Sequence, residues 1–150
     1  MVDVIKLNDE REIENLARFF HIKWKVPISA YVESMTDALK SEKGVPSWFY
    51  VKDEKEIIAG LGVIENDFHK RADLTPNICA VYVKENYRNR GIARKLLDFA
   101  QKDLAKFGID KVYLITSHTT FYEKCGFEFY GMIEENDGNL IRCYVNKQIN

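Results

Sequence analysis

The chain has few cysteines, almost no net charge and no long apolar run, and each of these features excludes a class of protein. Its three cysteines, Cys79, Cys125 and Cys143, form an odd set without C-x-x-C spacing, which argues against a disulfide framework or a zinc site. A formal net charge of -1 predicts no overall attraction to nucleic acid or to an anionic membrane. No segment approaches the ~18 apolar residues of a membrane span, and the acidic N-terminal stretch lacks the regions of a signal peptide. We therefore expect a cytoplasmic protein without a metal site.

Apolar residues make up 46% of the 150 residues and charged residues 30%, which is ordinary for a globular protein with its own core. No repeat, linker or low-complexity segment interrupts the chain. We therefore expect one domain that covers residues 1–150.

Hydrophobic periodicity predicts an α+β fold with about seven strands and four helices. A strand–long helix–strand crossover in the second half must be right-handed and makes its two strands parallel. The predicted strands lie in 2–7, 47–51, 56–64, 77–83, 110–117 and the two arms of a closing hairpin in 127–147, with helices in 8–24, 28–44, 91–107 and 119–125.

A glycine flanked by cations marks the point where the strand at 77–83 gives way to the long helix. The stretch YRNRGIA at 87–93 contains Gly91, and Arg88, Arg90, Arg94 and Lys95 surround it. The free amides and positive dipole end of a helix N-terminus bind anions, and glycine permits close approach of the backbone. Solvated surface cations around a turn glycine are the alternative, although cations at a helix N-terminus are unfavourable without an anion. The dinucleotide and P-loop glycine motifs are both missing, so another phosphate-bearing cofactor is indicated.

Two motifs resemble those of the GNAT superfamily of N-acetyltransferases. Residues 81–97, VYVKENYRNRGIARKLL, are similar to its acetyl-CoA-binding motif, Arg/Gln-x-x-Gly-x-Gly/Ala, with Arg88, Gly91 and Ala93 at the defining positions. Residues 121–127, FYEKCGF, resemble the second signature of the family, one strand downstream. The resemblance implies a mixed, mostly antiparallel sheet with a splayed central strand pair. It also implies acetyl-CoA as cosubstrate, a primary amine of a small molecule or peptide as acceptor, and a homodimer as an option for assembly.

The resemblance also implies which residues bind the cofactor. The backbone of the central strand would pair with pantetheine, and the amides at the helix start would hold the pyrophosphate. The residues implied are Val81, Tyr82 and Val83 for pantetheine and Arg88, Asn89, Arg90, Gly91, Ile92 and Ala93 for pyrophosphate.

Tyr122 matches the general acid of the family, which protonates the departing CoA thiolate. A phenol with a pKa of about 10 is a reasonable donor to a thiolate whose acid has a pKa of about 8.5. Packing in the core is the alternative role for Tyr122.

The group that takes the proton of the amine is left open by the sequence. Many relatives carry a glutamate at a position that appears here as Asn77, and an amide cannot act as a base. A CoA-binding sensor that has lost catalysis is therefore the rival interpretation. Acceptor choice is assigned to residues 20–31, the loop at 65–76 and the closing hairpin. Candidates for the base are Glu65, Asp67, His69, Asp73, His118 and an ordered water; His118 could equally cap the short helix.

Overall fold

The computed structural model describes residues 2–147, so Met1 and residues 148–150 of the predicted domain lie outside the described residues. The predicted seven strands and four helices are confirmed, and two short 3-10 turns, at Glu10–Glu12 and Glu85–Tyr87, are added to them. The strands are β1 Val4–Lys6, β2 Ser47–Asp53, β3 Glu56–Ile64, β4 Asn77–Val83, β5 Val112–Thr116, β6 Glu128–Glu134 and β7 Leu140–Asn146; the helices are α1 Ile13–Trp24, α2 Ile28–Lys40, α3 Ile92–Ala105 and α4 Phe121–Lys124.

The strands form one sheet in the order β1-β2-β3-β4-β5-β7-β6. Neighbouring strands are antiparallel, except that β4 and β5 are parallel, as the α3 crossover requires. The turn of the first hairpin is shorter than the polar tetrad at residues 52–55 predicted. Strands β2 and β3 extend into it until only Glu54 and Lys55 remain as the turn, and Glu54 takes a left-handed φ of 57°.

Helices cover both faces of the sheet, because each carries one apolar stripe. Helices α1 and α2 pack on one face through an aromatic group in which the Phe20 ring lies 5.7 Å from Tyr31 and 5.1 Å from Trp48. Helix α3 buries Leu96, Leu97, Leu104 and other apolar residues on the opposite face. Alternate residues of β4 therefore contact different layers: Ile78 faces α3, and Cys79 faces α1 and α2.

Strands β4 and β5 part after a single paired position. Asn77 opposes Tyr113, and within residues 2–147 no further pair joins the two strands. Ala80 has a left-handed φ of 55°, and the β3–β4 register shifts beside it. Such a bulge bends a strand and ends regular pairing. The sheet is therefore open at its centre, as predicted.

Candidate active site

The gap between β4 and β5 opens into a cavity of about 710 Å³. Its walls come from both strands, the α1–α2 connection, the loop between β3 and β4 (the β3–β4 loop, residues 65–76) and the start of α4. A cavity of this size suits a small ligand or the reactive arm of a larger one. All three segments to which the sequence assigned acceptor choice contribute to its wall, through Trp24 and Tyr31, Asp67 and Phe68, and Glu135 and Ile141.

The N-terminus of α3 presents backbone donors without acceptors. Gly91 is the N-cap residue, with a left-handed φ of 76°, and it supplies no capping side chain. For the four amides from Gly91 to Arg94, residues 2–147 offer no hydrogen-bond acceptor. A Cβ built on Gly91 would meet no atom within 4 Å. The space in front of these amides is therefore open to a ligand, and its electrostatics favour an anion.

Four cations surround these amides without a carboxylate partner. Within the described chain, Arg88, Arg90, Arg94 and Lys95 form no ion pair. Neighbours nevertheless orient the guanidinium groups. Arg90 lies 5.4 Å from the centre of the Tyr87 ring, and Arg94 donates to the carbonyl of Lys124. This uncompensated positive charge argues for an anionic ligand rather than for a merely solvated surface.

The predicted pantetheine segment, Val81–Val83, belongs to the part of β4 that is not paired with β5. Tyr82 and Val83 still pair with Gly60 and Ala59 of β3. The carbonyl of Val83 accepts a hydrogen bond of 3.0 Å from Arg88 Nε, which links this edge to the α3 N-terminus. Val81 itself lines the cavity. An extended ligand could thus add to the open edge of β4 as a strand would.

Tyr122 lies at the start of α4, is only 8% exposed and lines the same cavity. Its ring contacts those of Phe121 and Phe127 edge-on, which fixes its orientation. Its hydroxyl has no hydrogen-bond partner among residues 2–147. Burial, with a smaller contribution from Cys125, raises the Tyr122 pKa well above its usual value. The phenol is therefore protonated at neutral pH and can donate to a group in the cavity.

Of the five side chains proposed as the base, only Asp67 and His118 line the cavity. Glu65 is exposed on the β3–β4 loop, and Asp73 is exposed and paired with Arg71 at 2.8 Å. His69 is buried and both of its ring nitrogens are engaged. Nε2 donates to Asn77 Oδ1 at 2.6 Å, and Nδ1 accepts from the Arg71 amide at 3.2 Å. The geometry therefore argues against Glu65, His69 and Asp73.

Asn77 is a structural residue with no exposed surface. Its side-chain amide donates to the carbonyls of Leu74 at 2.7 Å and Glu65 at 3.2 Å, and its Oδ1 accepts from His69. These bonds close the β3–β4 loop upon β4. Because every polar atom of the Asn77 side chain is bonded within the protein, this position organises the loop instead of facing a substrate.

Comparison with known proteins agrees with this geometry. The model of the Acetyltransferase (GNAT) family matches residues 12–127. The chain belongs to the GNAT acetyltransferase family. The matched segment includes β4, the α3 N-terminus and Tyr122, so it covers both motifs recognised in the sequence. No helix of this GNAT chain, over the part that the structure describes, has the length and apolar character needed to span a membrane.

Individual relatives are distant. A curated relative, the uncharacterized N-acetyltransferase CT2212 of Chlorobaculum tepidum, is 29% identical over 80 residues, which are 53% of this chain and 49% of the relative. The GNAT chain thus matches about half the length of this curated relative. Among solved structures, yncA of Salmonella typhimurium with its cofactor acetyl-CoA has a TM-score of 0.73 at 11% identity, with 100% of this chain and 95% of that chain covered. A spermidine N-acetyltransferase SpeG chimera from Vibrio cholerae and hSSAT has a TM-score of 0.69 at 15% identity, with 98% and 95% covered. At such identities these structures establish the shared GNAT fold.

Some cavity residues carried no signal in the sequence. Trp48 and Cys79 sit inside apolar strand runs and read as core residues, yet both line the cavity. Ser34 on α2 also lines it and accepts a 3.0 Å hydrogen bond from Trp48 Nε1. A strand residue that faces a cavity has the same local pattern as one that faces the core, so only the parting of β4 and β5 distinguishes the two.

Proposed function

We propose that the protein is an acetyl-CoA-dependent N-acetyltransferase that moves an acetyl group directly to a primary amine of a small molecule or peptide. The observation that carries the proposal is the joining of three features in one place. The open edge of β4 lines the cavity at Ala80 and Val81. Arg88 Nε bonds the Val83 carbonyl at the end of that edge, so the free amides of the α3 N-terminus and the unpaired cations around them lie next to it. Membership of the GNAT family and the acetyl-CoA in the yncA structure support the choice of cofactor.

In this proposal the cofactor is bound by the residues that the sequence analysis predicted. The amides and side chains of the 88–93 segment hold the pyrophosphate, the backbone of Val81, Tyr82 and Val83 pairs with pantetheine, and the thioester enters the cavity. The open β4 edge offers main-chain hydrogen bonds to an extended chain. The amides and guanidinium groups offer charge-assisted bonds to phosphate oxygens.

Tyr122 is proposed as the general acid. The amine nitrogen attacks the thioester carbonyl, the tetrahedral intermediate collapses, and the C–S bond breaks as the sulfur takes the Tyr122 proton. The cationic nitrogen of the intermediate releases one of its two protons to solvent as the amide forms, and the Tyr122 phenolate takes a proton from solvent. Burial raises the pKa of Tyr122, so the phenol carries its proton at neutral pH but is a weaker acid than a free tyrosine. Its hydroxyl is available to bond the sulfur as the C–S bond breaks. A donor held in a water-poor cavity stabilises developing negative charge better than one in water.

The sensor interpretation loses its main support. It depended on the missing carboxylate at Asn77, but Asn77 is a structural residue of the β3–β4 loop and Asp67 brings a carboxylate to the cavity. The enzyme interpretation is therefore the better supported one.

Two measurements test the proposal. Thermal unfolding with acetyl-CoA, CoA and ATP should give a saturable rise in Tm for the first two and little for ATP; no rise with acetyl-CoA would contradict the cofactor assignment.

Release of CoA should then be followed across a panel of amines with Tyr122→Phe. This substitution should lower kcat by about 10²- to 10⁴-fold and leave the acetyl-CoA shift in place. Tyr113→Phe is the matched control, since Tyr113 is equally buried on β5 but packs against Tyr130 outside the cavity. Equal turnover by wild type and Tyr122→Phe would remove Tyr122 from the acid role.

A further inference from the structure

Asp67 is a half-buried carboxylate without a partner. It lines the cavity, and no residue in the described range 2–147 forms a hydrogen bond or ion pair with its side chain. A carboxylate that loses part of its hydration is disfavoured in its charged form unless a cation or a hydrogen-bond donor accompanies it. Burial, with repulsion from Glu135, raises the Asp67 pKa to about 6. An unpaired carboxylate in a cavity is a site that a cationic ligand would complete.

The loop around Asp67 is held in place on both sides. Asn66 accepts from the His69 amide at 3.1 Å and donates to the His69 carbonyl at 3.0 Å. The Phe68 carbonyl accepts from the Asn136 amide at 2.9 Å, which ties the loop to the closing hairpin. The His69–Asn77 bond anchors the loop to β4. Asp67 therefore has a defined position, which a binding group requires.

Tyr31 supplies a second unsatisfied polar group in the same cavity. Its side chain is 6% exposed, and its ring is fixed against Phe20 and Trp48. No hydrogen bond to its hydroxyl is found within the described residues, although it lines the cavity. Burial, then the charges of Cys79 and Asp67, raise the Tyr31 pKa. Tyr31 and Asp67 both line the cavity. The Tyr31 hydroxyl retains accessible surface toward the cavity, where a ligand can bond to it.

The other charged or titratable groups of the cavity do not neutralise Asp67. Lys23 of α1 is the cation there, but its Nζ lies 5.3 Å from the centres of both the Trp24 and Tyr82 rings and forms no ion pair with a described carboxylate. Glu135 adds negative charge from the closing hairpin. The remaining groups around the cavity are Cys79 on β4, His118 after β5 and Tyr122 on α4.

Aromatic and aliphatic side chains make up most of the rest of the wall, with Ser34, Thr116 and Ser117 as its polar members. Trp24 and Phe68 are 42% and 57% exposed. An aromatic face also attracts a cation within about 6 Å. The aliphatic residues include Val26, Ile64 and Ile141.

We propose that Asp67 and Tyr31 form the acceptor-amine site, and that the acceptor is a primary amine carried on a compact apolar or aromatic body. Asp67 binds the ammonium and accepts one of its protons, which leaves the nitrogen lone pair free to attack the thioester carbonyl; Asp67 then releases the proton to solvent. Tyr31 bonds the same nitrogen and acts through binding. This inference rests on the proposed acetyltransferase function and names its substrate class and base.

The test uses the full chain with saturating acetyl-CoA and four amines: 2-phenylethylamine, n-hexylamine, spermidine and glycine. Wild type should favour the two apolar amines by at least about tenfold in kcat/KM. Asp67→Asn should lower kcat/KM by about 10²-fold or more and abolish an acidic limb near pH 6 in the pH profile, with the acetyl-CoA shift intact. Tyr31→Phe should raise the amine KM about tenfold with kcat nearly unchanged. The control Asp37→Asn alters an exposed aspartate on α2 outside the cavity.

The outcomes separate the two levels of the argument. If wild type is active, two results overturn the role of Asp67. One is a kcat/KM of Asp67→Asn within threefold of the wild-type value, and the other is an acidic limb near pH 6 that persists in Asp67→Asn. A preference for spermidine overturns the apolar substrate class. Absence of both an acetyl-CoA shift and CoA release in wild type overturns the proposed function and this inference together.

Discussion

Replacement of Gly91 by alanine separates the anion-binding role proposed for this glycine from its backbone role. Gly91 and Gly108 flank α3 and have nearly the same left-handed conformation, with φ of 76° and 79°. A Cβ added at either position would meet nothing within 4 Å. The two substitutions therefore impose the same backbone strain without a steric clash in the free protein. Only Gly91 lies in the proposed pyrophosphate cradle.

The expected stability cost is the same for both variants. An L-residue in the left-handed region costs about 1 to 2 kcal/mol, and the smaller entropy of the unfolded alanine chain returns about 0.4 to 1 kcal/mol. A net loss of about 1 kcal/mol corresponds to a fall in Tm of about 2 to 4 °C for a chain of this length.

The response to acetyl-CoA should differ between the variants. At a ligand concentration of 100 times Kd, binding stabilises the folded state by about 2.7 kcal/mol. A methyl group between the helix amides and a phosphate should weaken binding at least tenfold, and the same concentration then stabilises Gly91→Ala by about 1.4 kcal/mol or less. Gly108→Ala should keep the full wild-type response. Thermal unfolding over an acetyl-CoA titration measures both quantities, and equal titration curves for the two variants would refute the placement of the cradle.

Two further predictions concern stability. Gly62→Ala would place its Cβ 2.5 Å from Trp48 Cζ3, and the indole cannot easily move because it is buried and bonded to Ser34. Urea unfolding should therefore show a free energy of unfolding lower by about 1 to 3 kcal/mol. An unchanged midpoint would contradict the tight contact. Asp67→Asn should stabilise the ligand-free protein at pH 7 by about 1 to 2 kcal/mol but not at pH 4. The Asp67 pKa is about 6 in the folded state against about 3.9 unfolded. The folded state therefore binds more protons than the unfolded state between these values, and wild-type stability falls as pH rises through that window; parallel pH curves for the two proteins would contradict the unpaired state of Asp67.

Local patterns were sufficient for the elements and for the glycine-capped start of α3 with cations around it. The strand predicted at 77–83 coincides with β4, and the amphipathic pattern after Gly91 predicted α3 to within two residues at its C-terminal end. These features depend on side chains close together in the chain: an apolar stripe of one period and a glycine beside cations at a helix start. The hairpin turn at 52–55 was less exact, because strand pairing continued into polar residues that can equally form a turn.

The acceptor end of the cavity depended on contacts between distant segments. Asp67, His69 and Asp73 are alike in sequence as polar loop residues. His69 is bonded to Asn77 and Asp73 is paired with Arg71, and of the three it is Asp67 that lines the cavity. Tyr31 read as one residue of an apolar helix stripe, and only its position beside the parted strands reveals an unpaired hydroxyl.

The sequence by itself determined the family, the order of the elements and the glycine-capped, cation-flanked start of α3, because these follow from short-range periodicity and from two local motifs. The tertiary structure alone decided which loop carboxylate enters the cavity and what accompanies it there. Burial and the absence of a partner are properties of the whole packed chain, and it is these properties that distinguish Asp67 from the other candidate carboxylates.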